Sequence, residues 1–314
     1  MSRSAVIIGG PTACGKSRLG VALAEAFHGT VINADSMQVY RDLPVLTSQP
    51  REEDRRRAPH RLFGVLSARE PCSAGRWRAL AVGAIQGALE AGRLPIVVGG
   101  TGLYLKVLRE GIAPVPEIPR EVGDETRARQ RRGGTVALHR DLAARDPEMA
   151  ARLSPGDGQR IIRAVEVIEA TGRSLADWQR MTEPSGLEGI RFATICFHPP
   201  RQALYAACDD RFRAMVEEGA LEEVRALGAL ALEESCPVLR ALGVAELRAY
   251  LSAELGLEQA IHQAQGATRR YAKRQMTWFR HQLAADATID SLYDGANFGR
   301  IAPVVDRFLL TENA

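Results

Sequence analysis

The residues Gly10-Pro11-Thr12-Ala13-Cys14-Gly15-Lys16-Ser17 satisfy the pattern G-x-x-x-x-G-K-[S/T] at every fixed position. Nothing else in the chain limits its fold as sharply, because the pattern works in one setting: a buried strand, a tight loop and the first turn of a helix. The flanks supply that setting. Ala5–Ile8 is a short apolar run, and Arg18–Phe27 has helical spacing and good helix formers. Backbone N–H groups and a helix N-terminus then converge on an anion, Lys16 adds a positive charge, and the Ser17 hydroxyl is placed to hold Mg²⁺. The loop alone leaves open what that anion belongs to.

Enzymes of nucleoside triphosphates usually close a second apolar strand with a magnesium-binding Asp. Leu94–Val98 ends in Gly99-Gly100-Thr101 and Phe192–Phe197 ends in His198, so neither supplies one. The strand-then-acid candidate is Val31-Ile32-Asn33-Ala34-Asp35. An acid so early suits a small-molecule phosphotransferase, or an enzyme with a base beside a bound phosphate, better than a motor or a switch.

Strands are expected near 5–9, 31–34, 62–66 and 94–98, with helices near 16–27 and 74–91, the alternation of a parallel sheet with right-handed crossovers. After Ile112 the stretch APVPEIPRE breaks this order, and residues 114–188 read as an inserted, charged, all-helical subdomain. A strand at 190–197 returns to the sheet and the remainder is mostly helical. The expected fold is α/β: a P-loop NTPase-like parallel sheet over 1–113, the insertion over 114–188, and a return strand with C-terminal helices over 189–314. Ligands of such sheets lie beyond the carboxyl ends of the strands, where the loop, Asp35 and the turn Gly99-Gly100-Thr101-Gly102 meet.

Composition narrows the class. With 46% hydrophobic residues among 314, the chain can bury a full core and is no disordered segment. A net charge of +3 sets up no global field, so affinity for nucleic acid must come from local patches. Five cysteines without C-x-x-C spacing and six unclustered histidines suggest a reducing cytoplasm with neither disulfides nor zinc. No uncharged apolar run approaches the ~18 residues of a membrane span.

One such patch is Thr268–His281, TRRYAKRQMTWFRH. On a helix, Arg269, Lys273 and Arg280 form one stripe, Arg270, Arg274 and His281 the next, with Tyr271, Trp278 and Phe279 interleaved. Cations with aromatics suit a phosphate backbone and an unstacked base; a solvated basic face over a core-packed aromatic edge is the alternative. Arg127–Arg132 and the face carrying Gln159 and Arg163 are weaker signals of the same kind.

Taken in order, GPTACGKS, DSMQVYR (Asp35–Arg41), PIVVGGTGLYLK (Pro95–Lys106), DPEMAARLSPGDGQRIIRAVEV (Asp146–Val167) and ATRRYAKRQMTWFR (Ala267–Arg280) resemble the tRNA dimethylallyltransferases, also called tRNA isopentenylpyrophosphate transferases. The resemblance spans about residues 5–281 and implies transfer of a five-carbon prenyl group from dimethylallyl diphosphate to N6 of the adenosine just 3′ of the anticodon, position 37, with release of pyrophosphate.

It implies roles as well. Gly10–Ser17 grips the diphosphate, with Lys16 and a Ser17-bound Mg²⁺ stabilising charge on the leaving group. Asp35 becomes the general base at the adenine amine, where the alternative is a cap on the following turn. Ser36, Met37 and Gln38 hold the target base, and Thr101 bonds in the same pocket. Gln159, Arg160, Ile161, Ile162 and Arg163, with Lys273, Arg274, Gln275, Trp278 and Arg280, match segments that contact the anticodon stem-loop of tRNA. The target base has to be extruded from its stack, at a cost of a few kcal/mol. A monomer in the cytoplasm is expected, without a membrane.

The chain departs from the family pattern in places. Cys14 replaces the usual Ser, Thr47-Ser48-Gln49-Pro50 replaces Thr-Ala-Lys-Pro, Arg61 stands for a second His, and Val244 follows Gly243 where Gly-Tyr is common. Gly123 aligns with an Arg reckoned as a tRNA contact; Arg120 and Arg127 are the available substitutes. Two other functions share parts of the pattern. A prenyltransferase of free adenine nucleotides should lack the insertion and the basic-aromatic helix, and a kinase binding ATP should have no use for that helix.

Overall fold

The computed structural model describes residues 3–181 and 186–311, in two compact units. The first unit runs to Arg109 and resumes at Leu187; the second is Glu110–Gly186.

The first unit is built on six parallel strands: β1 (Ser4–Gly9), β2 (Gly29–Asn33), β3 (His60–Arg61), β4 (Leu94–Gly99), β5 (Arg191–Phe197) and β6 (Ala287–Ile289). Their order is β3-β2-β4-β1-β5-β6. The register sets Val6 beside Ile96 on one flank and Ala193 on the other. Such strands are buried on both faces, so they read as unbroken apolar runs; Val6, Ile8, Val31, Ile96, Val98 and Ile195 form the centre of the core. Each contributes about 1.5–3 kcal/mol of transfer free energy.

Two strand expectations need correction. The run 62–66 is no strand: pairing there is limited to His60–Arg61, after which Leu62 (φ 65°) and Gly64 (φ 62°) turn the chain away. Leu66 returns for a single bridge to Tyr40. The sixth strand, Ala287–Ile289, was not foreseen, because three residues with an exposed Thr288 leave too little periodicity to recognise.

Helices Lys16–Ala26 and Ala74–Glu90 cover the sheet, the second starting at Ser73, whose hydroxyl accepts from Arg76 N at 3.1 Å. Helix Arg201–Met215 passes through a π-turn at Val216–Ala220 into Leu221–Ala229. The long helix Leu257–Gln282 contains the whole basic-aromatic segment.

Within the second unit every described element is a helix, chiefly Arg120–Arg145, broken at Gly134 (φ 79°), and Gly158–Thr171. Leu138, Leu142, Met149, Ile161 and Val165 make a separate small core. The unit begins at Glu110 and ends at Gly186 rather than at 114 and 188. Residues 182–185 of the expected insertion lie outside the described residues. The basic stretch Arg127–Arg132 is largely neutralised inside its own unit, as Arg127 pairs with Glu166 (3.1 Å), Arg129 with Glu169 (2.6 Å) and Arg132 with Glu125 (2.9 Å).

Candidate active site

Parallel strands deliver their C-terminal residues to one edge of the sheet. There β1 runs into the Gly10–Ser17 loop, β2 into Asp35, and β4 into Gly99–Thr101. Asn33 shapes the second of these, its Oδ1 accepting from Asp35 N (2.8 Å) while its Nδ2 donates to Asp35 O and Leu62 O, both at 3.0 Å. Asp35 Oδ1 accepts from Met37 N at 3.0 Å, so one oxygen caps the turn. Oδ2 is turned toward Gly100: a Cβ built there would lie 3.4 Å from it. The turn-capping and proton-accepting readings of this carboxylate are therefore compatible, one oxygen for each.

The loops are tied together. Ser36 N donates to Thr101 Oγ1 (2.9 Å), and that hydroxyl lies 3.2 Å from Ser36 Oγ. Thr101 also hydrogen-bonds the Tyr271 hydroxyl, whose pKa is pushed up chiefly by burial and further by Asp35. Gln38 Nε2 donates to Thr47 O (2.8 Å) and Ser48 O (3.0 Å), joining the Asp35 segment to the loop that replaces the usual Thr-Ala-Lys-Pro.

Gln275 was expected among residues facing RNA. It is buried instead: its Oε1 accepts from Thr12 N (2.9 Å) and its Nε2 donates to Gly100 O (2.7 Å), joining the phosphate loop to the β4 turn. Close packing requires glycine there, since a Cβ at Gly100 would fall 2.4 Å from Gln275 Nε2 and one at Gly102 2.2 Å from Trp278. Phe279 is core, 1% exposed, and Arg269 is held by Asp209 at 2.5 and 2.7 Å. Lys273, Arg274 and Arg280 remain exposed, and among the described residues none of the three has an ion-pair partner. Arg274 lies over the Tyr271 ring, 5.6 Å from its centroid.

A cavity of about 260 Å³ opens at this edge. Thr12, Asp35, Arg211, Tyr271 and Arg274 give it a polar end; Leu46, Cys208, Phe212, Met215 and Leu242 give it an apolar wall. Arg211 was missed from the sequence. Its guanidinium donates to Thr12 Oγ1, and burial pulls its pKa down while Cys208 and Asp35 oppose that. A signal existed: Leu204, Cys208 and Met215 form a buried stripe at helical spacing, and Arg211 falls on it. A cation on an apolar stripe is rarely idle.

Lys16 Nζ donates to Pro11 O at 3.1 Å, and the Lys16-Ser17 turn opens on a cleft of about 80 Å³ shared with Gln49 and Asp54. Ser17 is exposed, and its hydroxyl has no hydrogen-bond partner among the described residues. Its hydroxyl and the Asp54 carboxylate are hard oxygen donors, a set that fits Mg²⁺. The described residues hold no cluster of three ligating side chains, so a cation here would take most of its ligands from a bound phosphate and water. Cys14, at the base of the loop, is buried, which pushes its thiol pKa up and keeps it protonated.

In the second unit Gln159, Arg160 and Arg163 lie exposed on helix Gly158–Thr171, Ile162 is half-buried, and Ile161 points into the core. That corrects the expectation that Ile161 reaches a ligand. Gly123 is buried beneath Arg127, whose Nη2 would be 2.8 Å from a Cβ added there. A side chain at 123 would have to displace the tip of Arg127.

The Gly10–Ser17 loop at Thr12, an Asp35 oxygen without a hydrogen-bond partner among the described residues and a half-buried Arg211 open on one cavity, the arrangement of a P-loop α/β enzyme. Comparison narrows that class. The family model described as IPP transferase matches residues 38–282. A tRNA dimethylallyltransferase of Rhodospirillum centenum is 54% identical over 289 residues, 92% of each chain. Another, of Paramagnetospirillum magneticum, is 49% identical over 310 residues, 99% of this chain and 98% of that one. Among solved structures, the tRNA isopentenylpyrophosphate transferase of Bacillus halodurans superposes with a TM-score of 0.71 at 32% identity, covering 98% and 97% of the two chains. A eukaryotic dimethylallyltransferase acting on tRNA gives 0.82 at 27% identity, covering 99% of this chain and 81% of that one. The chain belongs to the IPP transferase family.

Proposed function

We infer that this enzyme transfers a dimethylallyl group from dimethylallyl diphosphate to N6 of adenosine 37, next to the anticodon of tRNA. The observation that carries the reading is the shared cavity: Asp35, the phosphate loop at Thr12 and Arg211 face one another across it, with an apolar wall beside them.

In the reaction the donor C1–O bond breaks, a C1–N6 bond forms, pyrophosphate departs with the electron pair, and the amine proton passes to Asp35. An adenine amine conjugated to its ring is a weak nucleophile, so a positioned base is worth about 10²–10⁴ in rate. Oδ2 is the oxygen that accepts, because Oδ1 is engaged by Met37 N. Arg211, Lys16 and the loop N–H groups stabilise the diphosphate as its charge develops. Ser17 is the residue that would hold a magnesium ion, which would add electrostatic stabilisation of the diphosphate when bound. The apolar wall takes the five-carbon tail, and exposed Lys273, Arg274 and Arg280 offer cations to the tRNA backbone. No helix among the described residues is long and apolar enough to cross a membrane, and the enzyme works as a monomer in the cytoplasm under this reading.

Nucleoside mass spectrometry of unmodified tRNA incubated with the protein, Mg²⁺ and dimethylallyl diphosphate tests this. One prenyl group gained on the anticodon-loop adenosine, and none on AMP, is the expected result. Prenylated AMP, or ATP turnover without transfer, overturns it.

A further inference from the structure

A second cleft, of about 490 Å³, opens beyond the C-terminal ends of β5 and β6. His198 follows β5 and Asp290 follows β6; Arg201 begins helix Arg201–Met215, and Lys273, Thr277 and Arg280 come from helix Leu257–Gln282. That is three cations against one carboxylate. Pro200 is the N-cap of helix Arg201–Met215 and no side chain caps it, so the first-turn N–H groups also present positive potential at this wall. Arg201 is held in place by Tyr205, its Nε donating to the phenol oxygen at 2.8 Å.

The ring of His198 gives the cleft a second, independent sign of purpose. Its backbone N donates to Ile289 O at 2.8 Å, fixing the residue beside β6, yet its Nδ1 is buried without a hydrogen-bond partner among the described residues. A buried polar atom left unsatisfied is unfavourable, and the residue that carries it lines the cleft. The groups facing the ring are Asp290, which favours its charged form, and Arg280, which opposes it together with burial, the largest influence, so the pKa lies below the ordinary value. Lys273 and Arg201 line the same space.

We propose that this cleft is a phosphodiester subsite for RNA, in which His198 takes up a proton as the phosphate enters. The proposal rests on the tRNA reading above. A phosphodiester stays anionic at every relevant pH, so the proton goes to the ring. The sign follows: the ring is neutral in the free protein and protonated in the complex, so affinity rises as pH falls through the pKa of the complex and levels off below that of the free protein.

Binding of a fluorescent anticodon stem-loop RNA is measured at fixed ionic strength from about pH 8 to about pH 5.5, because salt alone moves such affinities. The wild-type protein is expected to tighten by about three- to tenfold, corresponding to a half to one unit of pKa change. His198→Gln is expected to bind as the wild type does at high pH and to show no such rise. A His198→Gln profile that follows the wild type overturns the proposal. NMR titration of the His198 ring in the wild-type protein, with and without the RNA, needs no variant: its pKa should rise on binding, and an unmoved value overturns the proposal equally. Prenyl transfer by the same preparation separates the two readings. Transfer with a flat binding profile sinks the subsite alone, whereas absence of transfer counts against the enzyme reading.

Discussion

Gln275 accepts a hydrogen bond from the backbone N–H of Thr12 at 2.9 Å, so a residue near the end of the chain fixes the phosphate loop near its beginning. The other end of the amide donates to Gly100 O at 2.7 Å, and only a group with an acceptor and a donor satisfies both. Gln275→Glu turns the donor into a second acceptor facing a carbonyl. Its expected cost is about 1–3 kcal/mol of stability, read by denaturant unfolding, together with a fall in kcat from misplacement of both loops. A variant with wild-type stability and turnover would remove Gln275 from this role.

Asp35→Asn keeps an oxygen for Met37 N and removes the proton acceptor. Prenyl transfer in single turnover should drop by about 10²–10⁴, while tRNA binding stays within a few-fold. Equal rates for variant and wild type would end the general-base assignment.

Arg211→Ala removes a charge from the cavity and strands Thr12 Oγ1. Charge-assisted hydrogen bonds contribute about 1.5–3 kcal/mol, so donor affinity should fall by roughly 10- to 100-fold. The check is titration with a non-hydrolysable dimethylallyl diphosphate analogue. A loss of tRNA affinity alone would place Arg211 on the wrong substrate.

Arg280→Gln removes an exposed cation from helix Leu257–Gln282. The slope of log affinity for tRNA against log salt should decrease by about one. If the slope is unchanged, Arg280 contacts no phosphate.

Phe279 lies one residue from Arg280 and does something unrelated. It is 1% exposed and packs against Gly9, where an added Cβ would come within 2.8 Å of its ring. Phe279→Ala should cost about 3–5 kcal/mol of stability, measured by chemical denaturation. A cost below about 1 kcal/mol would mean that the helix is seated elsewhere.

Local rules made the sheet edge legible. The glycine loop, the long apolar strands β1, β4 and β5 and the acid after β2 each carry their signal within a dozen residues, and the parallel arrangement follows from their alternation with helices. Where burial depends on distant partners, the sequence is ambiguous. Gln275 and Trp278 share a helix face with Tyr271 and Arg274, and only the closeness of Gly100 and Gly102 decides that the glutamine turns inward. Arg211 finds its partner 199 positions away in Thr12, and His198 finds its neighbours in other elements; the buried stripe marks Arg211 as unusual, but no spacing names the partner of either residue. Strand β3 failed for a local reason, as positive φ at Leu62 and Gly64 interrupts an apolar run that otherwise suits a strand.

Helix Leu257–Gln282 contributes Thr268, Tyr271 and Arg274 to one cavity and Lys273, Met276, Thr277 and Arg280 to the other. A helix rises 1.5 Å per residue, so Arg274 and Arg280 stand about 9 Å apart along one stiff rod. The two sites are thus gauged by a single piece of secondary structure. A genetic screen for lost tRNA affinity should therefore return buried positions such as Phe279 and Gln275 alongside the exposed cations, and the two groups will part only when stability is scored separately.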